Sequence, residues 1–257
     1  MTGPTLEGRT AIVTGAGQGV GEGIARVLAA RGANVVVAAR RSETGEPVAQ
    51  SIRDAGHSAV CVPTDVTKRV AVDACVEAAV ARFGGLDVMV HNAFGGATPH
   101  RLESVDFDQH WKLMSRTGVW AALYCGQAAW PHLQTAGRRG RFLVVTSPAG
   151  IEGSSVLPLY AAVKAAERAI IKSLAREWGP AGVTVNGIAP VAATPALAAA
   201  FERRPDLKRD VEGRTSLGRV GDPADDIGVV AAFLASDDAG YITGQTIVCD
   251  GGSFLGF

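Results

Sequence analysis

The chain has 257 residues, with 25 basic and 25 acidic side chains and no net formal charge. Apolar residues make up 47% and charged residues 19%, which excludes a disordered chain and gives no electrostatic reason to expect nucleic acid or an anionic membrane as partner. Cys61, Cys75, Cys125 and Cys249 have no CxxC spacing, the N-terminus lacks signal-peptide features and no apolar run reaches membrane length, so a cytoplasmic protein with reduced thiols is expected.

In chain order, "TAIVTG" (10–15) reads as the first strand and runs into "AGQGVGEGIARVL". Gly15, Gly19 and Gly21 fall at a strand-to-helix turn, where glycine permits positive φ and lets a phosphate approach the backbone. The helix that follows offers free N–H groups and a positive dipole end. Strand, glycine turn and helix together point to dinucleotide binding.

The second strand, "NVVVAAR" (34–40), ends in Arg40 and Arg41, where an NAD site usually carries an acidic residue. Two guanidinium groups suit a ribose 2′-phosphate, hence NADP(H) in preference to NAD(H). Two solvated arginines opening a loop are the alternative. "SAVCVPTD" (58–65) is the third strand. Its terminal Asp65 suits the adenine amino group, or caps the next helix. A helix over "AVDACVEAAVARFGG" leads to a fourth strand, "LDVMVHNA" (86–93).

"RFLVVTS" (141–147) is the fifth strand and ends in Ser147. "LPLYAAVKAAERA" (157–169) is helical, and places Tyr160 and Lys164 one turn apart on one face. "VTVNGIAP" (183–190) is the sixth strand, 192–220 a looser segment, "ADDIGVVAAFLASDD" a helix, and "QTIVCDGG" (245–252) the seventh strand. Most strands are continuously apolar, as expected when both faces are covered. Alternation of strands and helices implies a doubly wound parallel α/β sheet of about seven strands. Residues 1–257 are expected to form one domain, with a cofactor half to about residue 110. There is no HExxH or similar metal spacing and no GxSxG elbow.

With Gly15-x-x-x-Gly19-x-Gly21 and Tyr160-x-x-x-Lys164 both present, the sequence resembles the short-chain dehydrogenase/reductase superfamily. The resemblance extends to "DV" (65–66), "NA" (92–93), Ser147 thirteen residues before Tyr160, "VN" (185–186), "AP" (189–190) and the ending "FLASDDAGYITGQTIVCDGG". It implies a Rossmann-like domain and a homotetramer or homodimer. It also implies an NADP(H)-dependent reaction on a ketone or secondary alcohol, with a hydrophobic carbonyl or 3-oxoacyl-type compound as substrate. By position, Gly15, Gln18, Gly19, Val20, Gly21, Arg40, Arg41, Asp65, Val66, Asn92, Ala93, Tyr160, Lys164, Pro190, Val191 and Thr194 are expected to line the cofactor. Tyr160 is the expected general acid or base. A free phenol, with a pKa of about 10, is a feeble base, and a nearby ammonium favours the phenolate. Lys164 is expected to supply that charge and to bind ribose, and Ser147 to hydrogen-bond the substrate oxygen.

Three stretches depart from the family pattern. Ser115, in "WKLMSRTGVW", stands where an asparagine supporting a proton relay is usual. In "HNAFG" (91–95), His91 replaces an asparagine and Phe94 a glycine. His91 is either an extra acid or a structural histidine on a backbone carbonyl. Val191 replaces the glycine after Pro190, and the loop to Thr194 is one residue shorter than the pattern. These departures motivate the alternative of a non-catalytic NADP(H)-binding regulator. The segments 94–104, 148–158 and the stretch after Thr194, a lid over about 192–220, are expected to frame an apolar substrate pocket.

Overall fold

The β-branched runs of the sequence form strands because helices cover them on both sides. The structure is a computed structural model and describes residues 5–97 and 99–255. One sheet contains β1 (Thr10–Thr14), β2 (Asn34–Ala39), β3 (Ala59–Pro63), β4 (Val88–His91), β5 (Arg141–Val145), β6 (Thr184–Pro190) and β7 (Thr246–Cys249). All pairs are parallel, in the order β3-β2-β1-β4-β5-β6-β7. All seven strands fall inside the segments expected from the sequence.

The pleat sorts the core into two layers. Ala11, Val13, Val35, Val37, Leu143 and Val145 face α1 (Gly19–Ala30), α2 (Ser42–Asp54) and the helix Val229–Ala235. Their neighbours Ile12, Val36, Ala38, Phe142 and Val144 face α3 (Arg69–Phe83), α5 (Ala121–Ala136) and α7 (Pro158–Trp178). α4 (Phe107–Ser115) leads into α5, and α6 (Ala149–Glu152) precedes α7. The arrangement is a single-domain Rossmann-like α/β fold. The expected looser segment contains two helices, α8 (Pro195–Arg203) and α9 (Pro205–Arg214), and α10 is Val229–Ala235.

Because every strand is parallel, the C-terminal strand ends share one edge of the sheet. The strand order reverses between β1 and β4, where open α/β sheets form their crevice. Gly15, Asn92, Ser147 and Val191 all follow strands at that edge.

The fully buried Asn186 fastens the approach to β7. Its amide donates to the Ile242 carbonyl at 2.7 Å, and its carbonyl accepts from the Gln245 amide at 3.1 Å. Removing a buried partner leaves the other group unsatisfied. Asn186→Ala is expected to destabilise the fold by about 2–4 kcal/mol, read from urea unfolding.

Candidate functional site

The glycine turn closes on β4 through a shared hydroxyl. Asn92 and Ala93 donate their backbone N–H groups to Thr14 Oγ1 at 3.0 and 3.1 Å, and Asn92 Nδ2 donates to the Thr14 carbonyl at 2.9 Å. Gly15, at φ 67°, lies so close that a Cβ would stand 2.8 Å from Ala93 Cα. At Gly21 a Cβ would meet Asn92 Nδ2 at 2.4 Å and the Gly15 carbonyl oxygen at 2.5 Å. The extended Gln18 precedes α1 without a side-chain cap, so the first amides of the helix are open to a ligand. Val20 packs half-buried on the first core layer. Glycine at 15 and 21 thus lets the turn close on β4, and the uncapped amides at the start of α1 suit a pyrophosphate.

Beyond β2, Arg40 and Arg41 are exposed. Asp65 Oδ1 accepts from the Thr67 hydroxyl at 2.7 Å and the Thr67 amide at 3.0 Å. Partial burial pushes its carboxyl up, but those bonds, with Lys68 and Arg40 nearby, outweigh it and hold the group below its ordinary range. Val66 is buried beside it in the second core layer. Oδ1 thus makes a local turn before α3, whose N-cap is Lys68, so Asp65 does not cap that helix.

Lys164 reaches Val145, the last residue of β5 and two residues before Ser147, and Tyr160 lies one turn earlier on α7. Ser147 is buried two residues past β5, and its Oγ accepts from the Ala149 amide at 3.2 Å. Pro158 opens α7, and Gly150 lets α6 lie on it, since a Cβ there would stand 2.6 Å from the Lys164 carbonyl carbon. Lys164 is 3% exposed. Its Nζ donates to the Val145 carbonyl at 2.9 Å and to Glu167 Oε1 and Oε2 at 3.1 and 2.9 Å. Glu167 is fully buried. Burial raises its carboxyl above the ordinary range, and the Lys164 charge and hydrogen bond pull the other way. The Phe94 ring covers the ammonium at 4.3 Å and meets the half-buried Tyr160 edge-on at 5.2 Å.

The Ser115 hydroxyl does not point to this ion pair. It donates back to the Trp111 carbonyl at 2.6 Å, the i−4 bond open to serine in a helix. The chain then makes a π turn over Arg116–Trp120. The carbonyls of Thr117 and Gly118 receive His91, which is 1% exposed. Burial, then repulsion by Lys164, pushes the His91 imidazole down to about 3 despite those two bonds. His91 is therefore a neutral structural histidine. Gly118 is required at the turn, because a Cβ would meet Val163 Cγ1 at 2.4 Å and Glu167 Oε1 at 2.9 Å.

At the end of β6, Pro190 leads to Val191, whose N–H donates to the Cys249 carbonyl at 3.0 Å. Its carbonyl accepts from the Gly221 amide at 3.2 Å. Among the described residues no non-glycine residue has positive φ, so valine is accommodated by pairing with neighbouring backbone. Thr194 caps α8 by accepting from the Leu197 amide at 3.2 Å. A Cβ on Gly19 would lie 3.4 Å from Thr194 Cγ2, so the start of the 192–220 segment rests against the glycine turn. Two residues of the site escaped the sequence reading. Thr14 had a signal, a hydroxyl at the last strand position before the glycine turn, and so did Glu167, an acid three residues after Lys164 on an apolar helix.

A family model described as enoyl-(acyl carrier protein) reductase matches residues 15–253. The cis-4-hydroxycyclohexanecarboxylate dehydrogenase of Sinomonas cyclohexanicum is 37% identical over 245 residues, covering 95% of this chain and 96% of that protein. The 3-oxoacyl-[acyl-carrier-protein] reductase of Escherichia coli is 35% identical, covering 97% and 99%. A solved structure assigned as a short-chain alcohol dehydrogenase from Sinorhizobium meliloti superposes with a TM-score of 0.91 at 34% identity, covering 98% and 99%. With such coverage the chain belongs to the short-chain dehydrogenase/reductase family. It is an NAD(P)-dependent oxidoreductase of that family. Among the described residues, no helix is long and apolar enough to cross a membrane.

His91 carries a pH dependence whose sign follows from its depressed value. The unfolded chain takes up a proton near pH 6.5 and the folded chain only near 3. Stability is therefore full above pH 6.5 and falls as pH drops through that window. Between pH 7 and 5 the loss is expected to reach about 2 kcal/mol. His91→Asn is expected to abolish that part of the slope in urea unfolding at the two pH values.

Proposed function

We propose that the protein transfers a hydride between NADP(H) and a ketone or secondary alcohol, with an apolar carbonyl or 3-oxoacyl-type compound as substrate. The observation that carries the reading is that Lys164, one turn after Tyr160, is bonded to the end of the strand that leads to Ser147, at the strand edge that also bears the glycine turn. The bound nicotinamide supplies or accepts the hydride. Gly15, Gly19 and Gly21 leave room for the pyrophosphate, with Gln18 and Val20 beside it. Asn92 and Ala93 fix the cradle, Arg40 and Arg41 take a ribose 2′-phosphate, and Asp65 with Val66 borders the adenine. Pro190, Val191 and Thr194 border the nicotinamide end. Ser147 donates a hydrogen bond to the substrate oxygen as charge develops there. Tyr160 Oη gives that oxygen a proton in reduction and takes one in oxidation. Lys164 stabilises the phenolate and binds ribose.

The relatives' names support the substrate class: a hydroxycyclohexanecarboxylate dehydrogenase, a 3β-hydroxysteroid dehydrogenase and a 3-oxoacyl reductase. Phe94, Val156 and Leu197 would form an apolar wall, and α8 with α9 a lid. Exposed Phe107, Leu113 and Trp120 on and after α4 support assembly into a homodimer or homotetramer. Four free cysteines suit a cytoplasmic site of action. The engagement of Lys164 by Glu167 is the one observation that favours the second reading, a non-catalytic NADP(H)-binding protein.

Thermal unfolding with NADP⁺, NADPH, NAD⁺ and NADH tests the cofactor assignment without a known substrate. The two phosphorylated forms are expected to raise the melting temperature most, and Arg40→Ala/Arg41→Ala to erase that preference. No shift with any of the four would overturn the reading. On a panel of cyclic and acyl ketones, NADPH oxidation is expected to fall by at least about 10²-fold in Tyr160→Phe. Binding without turnover across the panel would favour the regulator.

A further inference from the structure

The Lys164 ammonium is already held by groups of the protein itself. An ammonium carries three N–H groups, and three oxygens surround it: the Val145 carbonyl at 2.9 Å and the two Glu167 carboxylate oxygens at 2.9 and 3.1 Å. The Phe94 ring also lies over the ammonium at 4.3 Å. Only 3% of Lys164 and none of Glu167 reaches solvent. The pair is also specified from outside. Gly118 gives the carboxylate its room, since a Cβ there would press on Glu167 Oε1 at 2.9 Å and on Phe94 Cε2 at 3.1 Å.

We propose that Glu167 is a positioning residue that parks the Lys164 ammonium against β5, under the Phe94 ring, so that the cofactor ribose must draw it away from a carboxylate. The proposal rests on the oxidoreductase reading for its ribose half. The parking itself rests on the ion pair alone. A buried carboxylate holds an ammonium by a charge-assisted bond, stronger than a neutral one. A ribose hydroxyl offers only the neutral kind. Glu167 therefore sets how much of the binding energy of the cofactor is spent on releasing Lys164, and Phe94 sets how far the ring must swing to let it through.

Two measurements on the full-length protein separate these points. The first is reductive methylation of lysines under native conditions, with the extent at Lys164 read by mass spectrometry and no cofactor present. Lys164 is expected to be protected in the wild type. In Glu167→Gln, which keeps the size and one acceptor but removes the charge, its labelling is expected to rise about tenfold, the worth of one charge-assisted hydrogen bond. Freed of its partner, the side chain can swing into the cleft and meet the reagent. The second is NADPH titration by cofactor fluorescence, in which Glu167→Gln is expected to bind about tenfold more tightly. Glu167→Asp keeps the charge one methylene further back. It is expected to fall between wild type and Glu167→Gln in both measurements, and it serves should the Gln variant not fold. Melting curves establish that each variant compared is folded.

Labelling of Lys164 that is unchanged in a folded Glu167→Gln would overturn the proposal. So would weaker NADPH binding by that variant, which would make the carboxylate a support of the ribose site and not its competitor. If the wild type does not bind NADPH at all, the oxidoreductase reading fails with it, and the labelling result still decides whether Glu167 parks Lys164.

Discussion

A buried ammonium has to be matched, and the site is arranged around that requirement. Lys164 lies under α7 with almost none of its surface in water. An unpaired charge there would be neutralised or would unfold the site. Val145 supplies a carbonyl because β5 ends beneath that point of the helix, and Glu167 supplies the countercharge from the next turn of the same helix. The bond to β5 holds α7 against the strand that delivers Ser147, and Tyr160 follows one turn earlier on the same face. The two ends of the proposed catalytic group are thus held together through a side chain that itself performs no bond making.

The same matching connects residues that look unrelated in the sequence. His91, Phe94 and Glu167 come from β4, the loop after it and α7, yet all touch or sense Lys164, and Gly118 of the π turn leaves room for two of them, Phe94 and Glu167. Repulsion by Lys164 helps keep His91 neutral. A neutral imidazole can turn its one N–H toward the carbonyls that the π turn presents without adding a second positive charge to the cavity. Thr117 holds the same turn from the other side, donating to the Leu113 carbonyl at 2.8 Å. Ser115 closes the preceding turn of α4. The departures at His91 and Phe94 are therefore partly adjustments to one shared neighbour, Lys164, and their effects should not add independently.

The fold was legible because its signals are repeated. Seven apolar runs, each too short for a helix of its own and separated by helical stretches, leave little besides a parallel sheet. The glycine turn and the Tyr160–Lys164 spacing are local, so sequence alone located them. What it missed is non-local or depends on direction. Ser115 stands at the expected position, but a serine hydroxyl can turn back on its own helix, and spacing does not say whether it does. The alternatives for His91 could be separated only by its burial and by the carbonyls that face it. Val191 stands where a glycine free to take positive φ is usual. The loop instead uses negative φ and pairs with Gly221, a residue thirty positions away. The signal of Glu167, an acid three residues after Lys164, was weak because with the basic residues that follow on α7 it also reads as part of a solvated face.

The position of Glu167 also bears on why Lys164 is tolerable so deep. An apolar residue at 167 would leave the ammonium with one carbonyl and the face of an aromatic ring, a cation–π contact worth less than a charge-assisted pair. Such a site would favour a lysine that reaches outward to ribose and solvent. A carboxylate reverses that balance and draws the lysine inward, and the Phe94 ring lies over it. Phe94 and Glu167 are thus two halves of one arrangement, a charge turned into the protein and an aromatic lid over the space it leaves. The same ring forms an edge contact with Tyr160, so any movement that uncovers the lysine also changes the surface against which the phenol rests.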